Sequence, residues 1–363
     1  MFALTPEERL SRARADLRIG APVVVIDGQA ALLAICAELI TDERLNSLRS
    51  LGPVNVVVTS RRATTLKARA YDGDIARIVV RDDMRAADIL AVADPSQALS
   101  SPLLGPFSSD REGNAGAHRA AVRLAKSARL LPSVVTVSLA VEDANALATA
   151  ETLSVVTTLD WDGAEGSSIE MTPVASARVP LEVSEAGRVH VFRPGNGEEE
   201  HYAIEVGSPA RNEPVLSRLH SACFTGDLAG SLKCDCGPQL RAAMTQIGAE
   251  GAGVLLYLNQ EGRGIGLANK MRAYSLQDEG FDTVEANHRL GFEDDERDFR
   301  IGAAILRALG FSAVRLMTNN PGKVAAMEAT GVKVTERVPL IVGENAHNVA
   351  YLATKAKKSG HLL

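Results

Sequence analysis

Hydrophobic runs alternate with mixed polar and apolar stretches along the first third of the chain. The runs at residues 22–27 and 54–60 are typical of buried strands, and we interpret the stretch between them, through Leu45, as helical. Residues 118–131 then favour a helix and residues 134–141 a strand. This alternation predicts an α/β unit.

The pattern is more regular in the second half. Apolar residues at Leu240, Ala243, Met244 and Ile247 have the spacing of an amphipathic helix. In chain order, we predict a strand at 198–207, that helix from Pro238, a buried strand at 254–258, a loop at 260–266, a helix at 267–278, a strand at 313–317 and a helix from Pro321. The fold class is therefore mixed α/β.

Two polar stretches rich in Gly and Ser interrupt these elements, at 101–116 and 161–170. We place a domain boundary in the second, which gives two domains, 1–165 and 172–363. A chain of 363 residues that is 46% hydrophobic is long enough for two cores.

Charge and the N-terminus narrow the class of protein. The formal net charge of -6 argues against a nucleic-acid binder that works mainly by neutralising phosphates. The N-terminus has no basic segment followed by an apolar run, and residues 21–40 are interrupted by polar side chains. We expect a soluble, cytoplasmic protein that does not bind membranes.

Three of the four cysteines, Cys223, Cys234 and Cys236, form a C-x10-C-x-C pattern, and thiolates are strong zinc ligands. A helix starting at Pro238 would lower the pKa values of Cys234 and Cys236. Three cysteines with water as fourth ligand would make a catalytic site, whereas His220 as fourth ligand would make a structural one. The spacing leaves both open.

Other polar residues cluster at predicted strand ends. The 260–266 loop suits phosphate binding but fits neither the Walker A nor the dinucleotide pattern, and by itself is more typical of a tight turn. Within it, Glu261 could accept guanine N–H groups while Arg263 meets a phosphate. Asn320 is a candidate N-cap for the helix from Pro321, and Lys323 lies three residues after it. The lysine either approaches a phosphate or belongs to an ordinary capped helix, which that segment alone favours.

Asp295 and Arg297 would lie about 200° apart on a helix, so they share a site only if Asp295 precedes the regular helix. Tyr274 shares a helical stripe with Leu267 and Met271, which by periodicity indicates the core.

Together, these motifs resemble GTP cyclohydrolase II in order and spacing from Arg218 to Leu363. The resemblance implies catalytic zinc, one Zn²⁺ per subunit, on Cys223, Cys234 and Cys236, with His220 as a neighbour. It implies a proton acceptor at Asp295, a nucleophilic arginine at Arg297 and a required tyrosine at Tyr274. The implied GTP contacts are Arg218, Leu219, His220, Ser221, Ala222, Gln239, Glu261, Gly262, Arg263, Thr283, Thr318 and Lys323.

The reaction implied by this resemblance converts GTP and water to a diaminopyrimidinone ribosylamine phosphate, formate and diphosphate, the first step of riboflavin synthesis. Mg²⁺ is expected with the triphosphate, and a homodimer is usual in the family. Ala222, Leu258 and Asn259 depart from glutamate, histidine and arginine seen in relatives. Two alternatives are a non-catalytic GTP-binding zinc regulator and a sister cyclohydrolase that stops at a formamidopyrimidine. The retained catalytic residues argue against the regulator, and Tyr274 argues against the sister enzyme.

Residues 1–165 resemble dihydroxybutanone phosphate synthase more weakly. That family's acidic stretch is replaced by IDGQAALLAICAEL, and at its GHTEA motif Ala117 replaces the histidine and Arg119 the glutamate. Most of the carboxylates that would hold Mg²⁺ and abstract protons are therefore absent. We expect a degenerate, inactive domain.

Overall fold

The computed structural model describes residues 2–98, 105–161, 169, 171–349, 351–353, 357, 360 and 362. Contacts divide the chain into a first unit, Met1–Ser167 with Ala268–Asp295, and a second unit, Ser168–Leu267 with Glu296–Leu363. This division differs from the ranges 1–165 and 172–363 because residues 268–295 pack with the N-terminal residues. Most of the predicted boundary at 161–170 lies outside the described residues, as do residues 101–104.

Helices account for much of both units. They are α1 (Pro6–Arg18), α2 (Asp42–Leu51), α3 (Ser60–Leu66), α4 (Ala86–Ala93), α5 (Pro95–Ala98), α6 (Gly116–Ser127), α7 (Val141–Ala150), α8 (Cys236–Glu250), α9 (Leu267–Asp278), α10 (Thr283–Leu290), α11 (Arg300–Ala308) and α12 (Pro321–Ala329). Among the described residues, no helix is long and apolar enough to cross a membrane.

The first unit contains one seven-stranded sheet in the order β5-β4-β3-β6-β2-β1-β7. Its neighbours are antiparallel except for the β1–β7 pair. The strands are β1 (Val23–Asp27), β2 (Ala30–Cys36), β3 (Val54–Thr59), β4 (Ile75–Val79), β5 (Ser109–Asp110), β6 (Ser133–Leu139) and β7 (Ser154–Thr157). Helices α1 and α6 pack on this sheet, and the core between them includes Leu17, Val25 and Leu124.

The helix predicted between residues 27 and 45 is wrong. Residues Ala30–Cys36 form strand β2, which pairs antiparallel with β1 and β6, and the helix that follows begins only at Asp42. The sequence AALLAIC is apolar throughout, so its periodicity does not distinguish a buried helix from a strand buried on both faces. Gly28, with φ of 57°, makes the turn that returns the chain beside β1.

The second unit contains another seven-stranded sheet in the order β14-β13-β11-β12-β10-β9-β8. Its strands are β8 (Met171–Arg178), β9 (Gly187–Pro194), β10 (His201–Val206), β11 (Val215–Ser221), β12 (Gly253–Leu258), β13 (Ala313–Met317) and β14 (Lys333–Val338). Strands β12, β11, β13 and β14 are parallel neighbours, whereas β8, β9, β10 and β12 pair antiparallel. Consequently β11, β12 and β13 all end at one edge of the sheet.

Both faces of this sheet are covered. Leu219 and Leu316 pack on one face with Ile305 of α11, whereas Leu216 and Leu255 pack on the other with Ile247 of α8. The predicted elements at 267–278 and 313–317 are confirmed residue for residue. Helix α8 begins at Cys236, two residues before the predicted start, because proline is tolerated anywhere in a first turn and does not itself mark the first residue.

Candidate active site

Three cysteine side chains meet just beyond the end of β11. Cys223 follows this strand, Cys234 lies in the loop before α8, and Cys236 is the first residue of α8. Their sulfurs all lie within 4.8 Å of one another, and Cys223 Sγ is 3.8 Å from Cys234 Sγ. Among the described residues, this is the group whose His, Cys, Asp and Glu side chains could hold a metal ion.

The electrostatics of this cluster favour a cation. The neighbouring Cys223 thiol raises the pKa of Cys234 to about 11, and Cys223 and Cys234 raise the pKa of Cys236 as well. This direction is opposite to the lowering predicted from the helix, because the contacts among the three sulfurs outweigh the helix dipole. Three thiolates this close repel one another unless a positive charge lies between them, and a bound divalent metal reverses that preference. The residues present therefore fit a zinc ion, and the positive end of α8 at Cys236 adds to the same effect.

The turn after Cys223 packs tightly on the sulfurs. Gly226 donates its backbone N–H to Cys223 Sγ at 3.3 Å. A Cβ at Gly226 would lie 2.8 Å from Cys234 Sγ, closer than real Cβ contacts allow, and 3.0 Å from Cys223 Sγ, which is also tight. Glycine is therefore required here by the approach of the backbone to the cluster.

His220 does not join the cysteines. Its Nε2 lies 2.9 Å from Asp227 Oδ2, and its ring stacks on Tyr257 with centroids 5.6 Å apart. Burial lowers the pKa of His220, so the ring is neutral near pH 7. Asp227 also accepts hydrogen bonds from the Tyr257 hydroxyl at 3.0 Å and from the backbone N–H of Cys223 at 2.9 Å.

A buried arginine lies beside the cluster. Arg218 donates to the Met317 carbonyl at 2.9 Å and to Gln239 Oε1, and Gln239 in turn donates to Asp235. The Arg218 Nε is buried without a hydrogen-bond partner among the described residues. Burial lowers the pKa of Arg218 to about 10, which still leaves the guanidinium charged at neutral pH.

The 260–266 loop is a tight turn that closes on the cysteine turn. Gly262 and Arg263 have φ of 64° and 60°, a conformation that side chains rarely adopt. The Glu261 carboxylate accepts from the backbone N–H groups of Phe224 at 2.5 Å and Gly262 at 2.9 Å. The loop thus places Glu261 next to the residue that follows Cys223.

Two cations extend toward the ends of β11 and β13. Arg297 Nη1 is 3.3 Å from Ser221 Oγ, and Lys323 donates to the Leu219 carbonyl at 2.8 Å. Both lie against the Phe299 ring, with the Arg297 Cζ at 4.9 Å and the Lys323 Nζ at 5.3 Å from its centroid. Arg218, Arg297 and Lys323 therefore give this edge of the sheet a set of positive charges suited to phosphate.

Backbone contacts account for the remaining predicted positions in the second unit. Ala222 donates its N–H to the Leu258 carbonyl at 2.8 Å, and Thr318 Oγ1 accepts from the N–H of Asn320 at 3.0 Å. Asn320 caps α12 through Gly322, as predicted. Asn259 bonds to residues 200 and 201 beside β10, so this departure from the family pattern supports local structure.

Tyr274, Thr283 and Asp295 belong to the first unit. The interpretation of Tyr274 as a core residue is wrong: Leu267 and Met271 on its stripe are 38% and 39% exposed, and Tyr274 itself is half-buried. The buried face of α9 contains Asn269, Lys270, Ala273 and Leu276. Thr283 is the first residue of α10. Asp295 lies in the irregular stretch before α11, as it must if it is to share a site with Arg297.

Sequence reasoning missed Asp227, Tyr257, Asp235 and Phe299. Asp227 lies four residues after Cys223, a spacing that matches no general motif. Tyr257 is the penultimate residue of a buried strand, where a hydroxyl needs a hydrogen-bond partner. That requirement could have indicated a polar group near the end of this strand.

The fold and the cluster define a two-unit α/β protein with a thiolate site of the metal-binding kind. The sequence model of the GTP cyclohydrolase II family matches residues 172–339. GTP cyclohydrolase-2 of Azospirillum brasilense is 43% identical over 360 residues, 97% of this chain and 93% of that protein. The chain belongs to the GTP cyclohydrolase II family and is a hydrolase.

Other relatives align with half of the chain. GTP cyclohydrolase-2 of Azotobacter vinelandii is 57% identical over 190 residues, which are 52% of this chain and 91% of that protein. Among solved structures, a two-domain 3,4-dihydroxy-2-butanone 4-phosphate synthase from A. baumannii covers 90% of this chain and 99% of its own, with 17% identity and a TM-score of 0.33. That score is too low to carry an argument about either unit.

Proposed function

We propose that this protein hydrolyses GTP to a diaminopyrimidinone ribosylamine phosphate, formate and diphosphate in riboflavin synthesis. The observation that carries the proposal is the convergence of Cys223, Cys234 and Cys236 beside Arg218, in a chain of this family. The three cysteines would hold one Zn²⁺. When bound, zinc supplies a Lewis acid that lowers the pKa of water toward neutrality, as ring hydrolysis at C8 requires.

The cationic edge would bind the triphosphate. Arg218 and Lys323 are buried and keep their positions through backbone carbonyls, so little side-chain entropy remains to be lost on binding. Together with Mg²⁺ they would stabilise the charge that develops on the leaving diphosphate. Arg297 would contact the α-phosphoryl group as a guanidinium, whereas the nucleophilic role that the resemblance assigns to it first requires loss of a proton.

The guanine end would meet the 260–266 loop and the end of β11. Glu261 is the carboxylate that can accept guanine N–H groups, and the neutral His220 has a buried Nδ1 without a hydrogen-bond partner among the described residues. Tyr274 and Asp295 would move protons during ring opening. Ala222 and Leu258 share a backbone hydrogen bond, and Asn259 bonds the carbonyl of residue 200, so a backbone contact to GTP at Ala222 is retained in this proposal, whereas a contact from a glutamate side chain there would be lost.

A non-catalytic GTP-binding regulator and a sister enzyme releasing a formamidopyrimidine are the competing functions. Every position to which the family resemblance assigns a catalytic role has the expected residue, which argues against the regulator. The presence of Tyr274 argues against the sister enzyme. Incubation with GTP, Zn²⁺ and Mg²⁺ under reducing conditions separates the three. We expect formate and the pyrimidine product; absence of turnover would favour the regulator, and turnover without formate the sister enzyme.

The ligand assignment is tested by Cys234→Ser. We expect loss of zinc and of formate release, because a hydroxyl is a much poorer zinc ligand than a thiolate. Metal analysis and a formate assay measure both. Cys36→Ala is the matched control, since Cys36 is a buried cysteine in the sheet of the first unit, and it should retain both zinc and activity. Retention of zinc and activity in Cys234→Ser would refute the assignment.

We also propose a cytoplasmic homodimer. The family resemblance supports the dimer, and GTP as the proposed substrate supports the location. Light scattering coupled to size-exclusion chromatography of the zinc-loaded protein would give the mass directly. A mass of one chain would contradict the dimer.

A further inference from the structure

Part of the family-matched sequence packs with the N-terminal residues. The segment Ala268–Asp295 belongs to the first unit, and within it α10 packs against α3. Its apolar side chains are well buried, including those of Ala273, Leu276, Ala286 and Leu290. The segment contains Tyr274, Thr283 and Asp295, the three predicted site residues that lie outside the second unit.

An arginine in this segment is held by two N-terminal carboxylates. Arg272 Nε donates to Asp94 Oδ2 at 2.9 Å, and Arg272 Nη2 lies 2.8 Å from Glu38 Oε2. The Glu38 contact lacks good hydrogen-bond geometry, so it is mainly coulombic. The carboxylate side chains are only 9% and 5% exposed, for Glu38 and Asp94 respectively. Because both are nearly buried, loss of either partner leaves a charge that water cannot fully solvate.

A second arginine, which belongs to the N-terminal residues, contacts the 268–295 segment. Arg62 of α3 is 3% exposed and donates to the carbonyls of Ala91, Val92 and Arg289, the last of these in α10. Thr59 Oγ1 donates to the Gly291 carbonyl at 2.7 Å, immediately after α10. These bonds fix both the helix and its C-terminal end to residues more than 220 positions earlier in the chain.

The same contacts hold the helix that carries Tyr274. Arg272 Nη1 also donates to Asn269 Oδ1 at 2.7 Å, and Asn269 donates to the Arg129 carbonyl at 3.0 Å. Asn269 and Arg272 therefore fix the rotation of α9 about its axis. Tyr274 lies two residues beyond Arg272, on the half-exposed side, with Lys270 Nζ 5.6 Å from its ring centroid.

We propose that the N-terminal module, Met1–Ser167, serves as a positioning module for the 268–295 segment, with Glu38, Asp94 and Arg62 as its positioning residues. The inference rests on the proposed function for the roles of Tyr274, Thr283 and Asp295. Relatives that align with only 190 residues of this chain over 91% of their length have no room for such a module. In this chain the module would support the reaction by holding the 268–295 segment in place, and would not catalyse a reaction of its own.

The test uses the full-length, zinc-loaded protein with the double substitution Glu38→Gln and Asp94→Asn. We expect hydrogen exchange in peptides from 268–295 to accelerate about tenfold or more, because the ion pairs that tie down the segment are lost. Peptides from α11 in the second unit serve as an internal reference and should exchange as in the parent protein. We expect kcat for formate release to fall about tenfold with zinc content unchanged.

Asp74→Asn is the matched control. It removes a carboxylate from an exposed ion pair with Arg119 in the same module, and should leave exchange and kcat unchanged. Asp94→Glu keeps the charge and should lie closer to the parent protein than the double variant in both measurements. Such a rescue is not expected if Asp94 merely fills space.

Unchanged exchange in the double variant would overturn the proposal whether or not the enzyme turns over GTP. Accelerated exchange with unchanged kcat would also overturn it, because the segment would then be held without any effect on catalysis. Failure of the parent protein to release formate would instead refute the proposed function, and exchange would then decide whether the module holds the segment.

Discussion

At the scale of single residues, a carboxylate that is not itself a predicted ligand accepts three hydrogen bonds beside the cysteines. Asp227 accepts from the His220 ring, the Tyr257 hydroxyl and the Cys223 backbone N–H. Since burial keeps His220 neutral, its Nε2 carries the proton that it donates to Asp227. Through its bond to the Cys223 N–H, Asp227 holds the backbone that carries that sulfur.

Asp227→Asn should therefore weaken metal binding without removing a ligand. The amide has only one acceptor oxygen, and its NH₂ group would face at least one of the three donors. Loss of a partner that orients a metal ligand typically lowers affinity about 10- to 100-fold. We expect a decrease of that size in zinc affinity, measured by competition with a chromogenic chelator.

The control for Asp227→Asn is Glu213→Gln, which removes a carboxylate from an exposed position in the same unit. It should bind zinc as the parent protein does. Equal zinc affinity in the Asp227 and Glu213 variants would mean that the three hydrogen bonds do not position Cys223.

The three cysteines could be found from the sequence because thiolates close together have few other uses in such a chain. Asp227 could not, because its role depends on a turn that returns the carboxylate to His220, and no spacing rule describes that turn. Tyr274 shows the opposite error. Its periodicity indicated the core, but the residues that α9 buries are Asn269, Lys270, Ala273 and Leu276, and the first two are polar side chains that a hydrophobic pattern does not register.

At the scale of elements, helix boundaries were predicted best where a capping residue or a glycine lies next to a segment with helical periodicity. Helix α9 ends before Gly280 and α12 begins after the Asn320 cap, and both were placed correctly. Strand β2 lacked such a signal within its apolar run, and its identity depends on the partners β1 and β6. Pairing with β6 joins residues about a hundred positions apart, which local pattern does not contain.

The end of α10 gives a prediction at this scale. Gly291 has φ of 92°, and a Cβ there would lie 2.8 Å from Thr59 Oγ1 and 2.9 Å from Pro132 Cγ. Gly291→Ala should destabilise the first unit by about 2–4 kcal/mol, from left-handed backbone strain together with overpacking. The thermal unfolding midpoint should fall by about 2–4 °C for each kcal/mol.

Gly280→Ala separates the two contributions. Gly280 also has a positive φ, 100°, but a Cβ there would meet nothing within 4 Å. This variant should show only the backbone strain, about 1–2 kcal/mol. If the two variants unfold at the same temperature, the close approach of Gly291 to Thr59 and Pro132 does not contribute to stability.

At the scale of the whole molecule, the order of motifs was enough to assign the family, because several independent segments agree in sequence and spacing. The assignment of residues 268–295 to the first unit could not be predicted from the sequence. It depends on contacts such as that between Thr59 and Gly291, which only the folded chain brings together. A linear boundary near residue 165 therefore describes the sequence but not the packing.

The N-terminal module contains a seven-stranded sheet, and its resemblance to dihydroxybutanone phosphate synthase predicts that it lacks that family's catalytic groups. Asp27, at the β1–β2 turn, is held by the Asn114 amide at 3.1 Å and the Thr158 hydroxyl at 2.9 Å. His118, which follows Ala117, is 4% exposed, and burial lowers its pKa to about 4. A ring that stays neutral and faces the interior is poorly suited to proton transfer with a substrate.

We therefore expect no butanone phosphate from ribulose phosphate with the purified, Mg²⁺-supplied protein. Of the two carboxylates in the stretch that replaces the family's acidic motif, Glu38 is paired with Arg272, which leaves Asp27. Arg119, where the synthase motif has glutamate, is paired with Asp74. These residues offer too few carboxylates to hold a divalent cation and abstract protons as well. Mass spectrometry of the reaction mixture would detect the product, and GTP turnover by the same sample shows that the protein is folded. Product formed at a rate proportional to protein concentration would mean that Asp27 and its neighbours still support catalysis, and the N-terminal module would then be an enzyme as well as a packing partner.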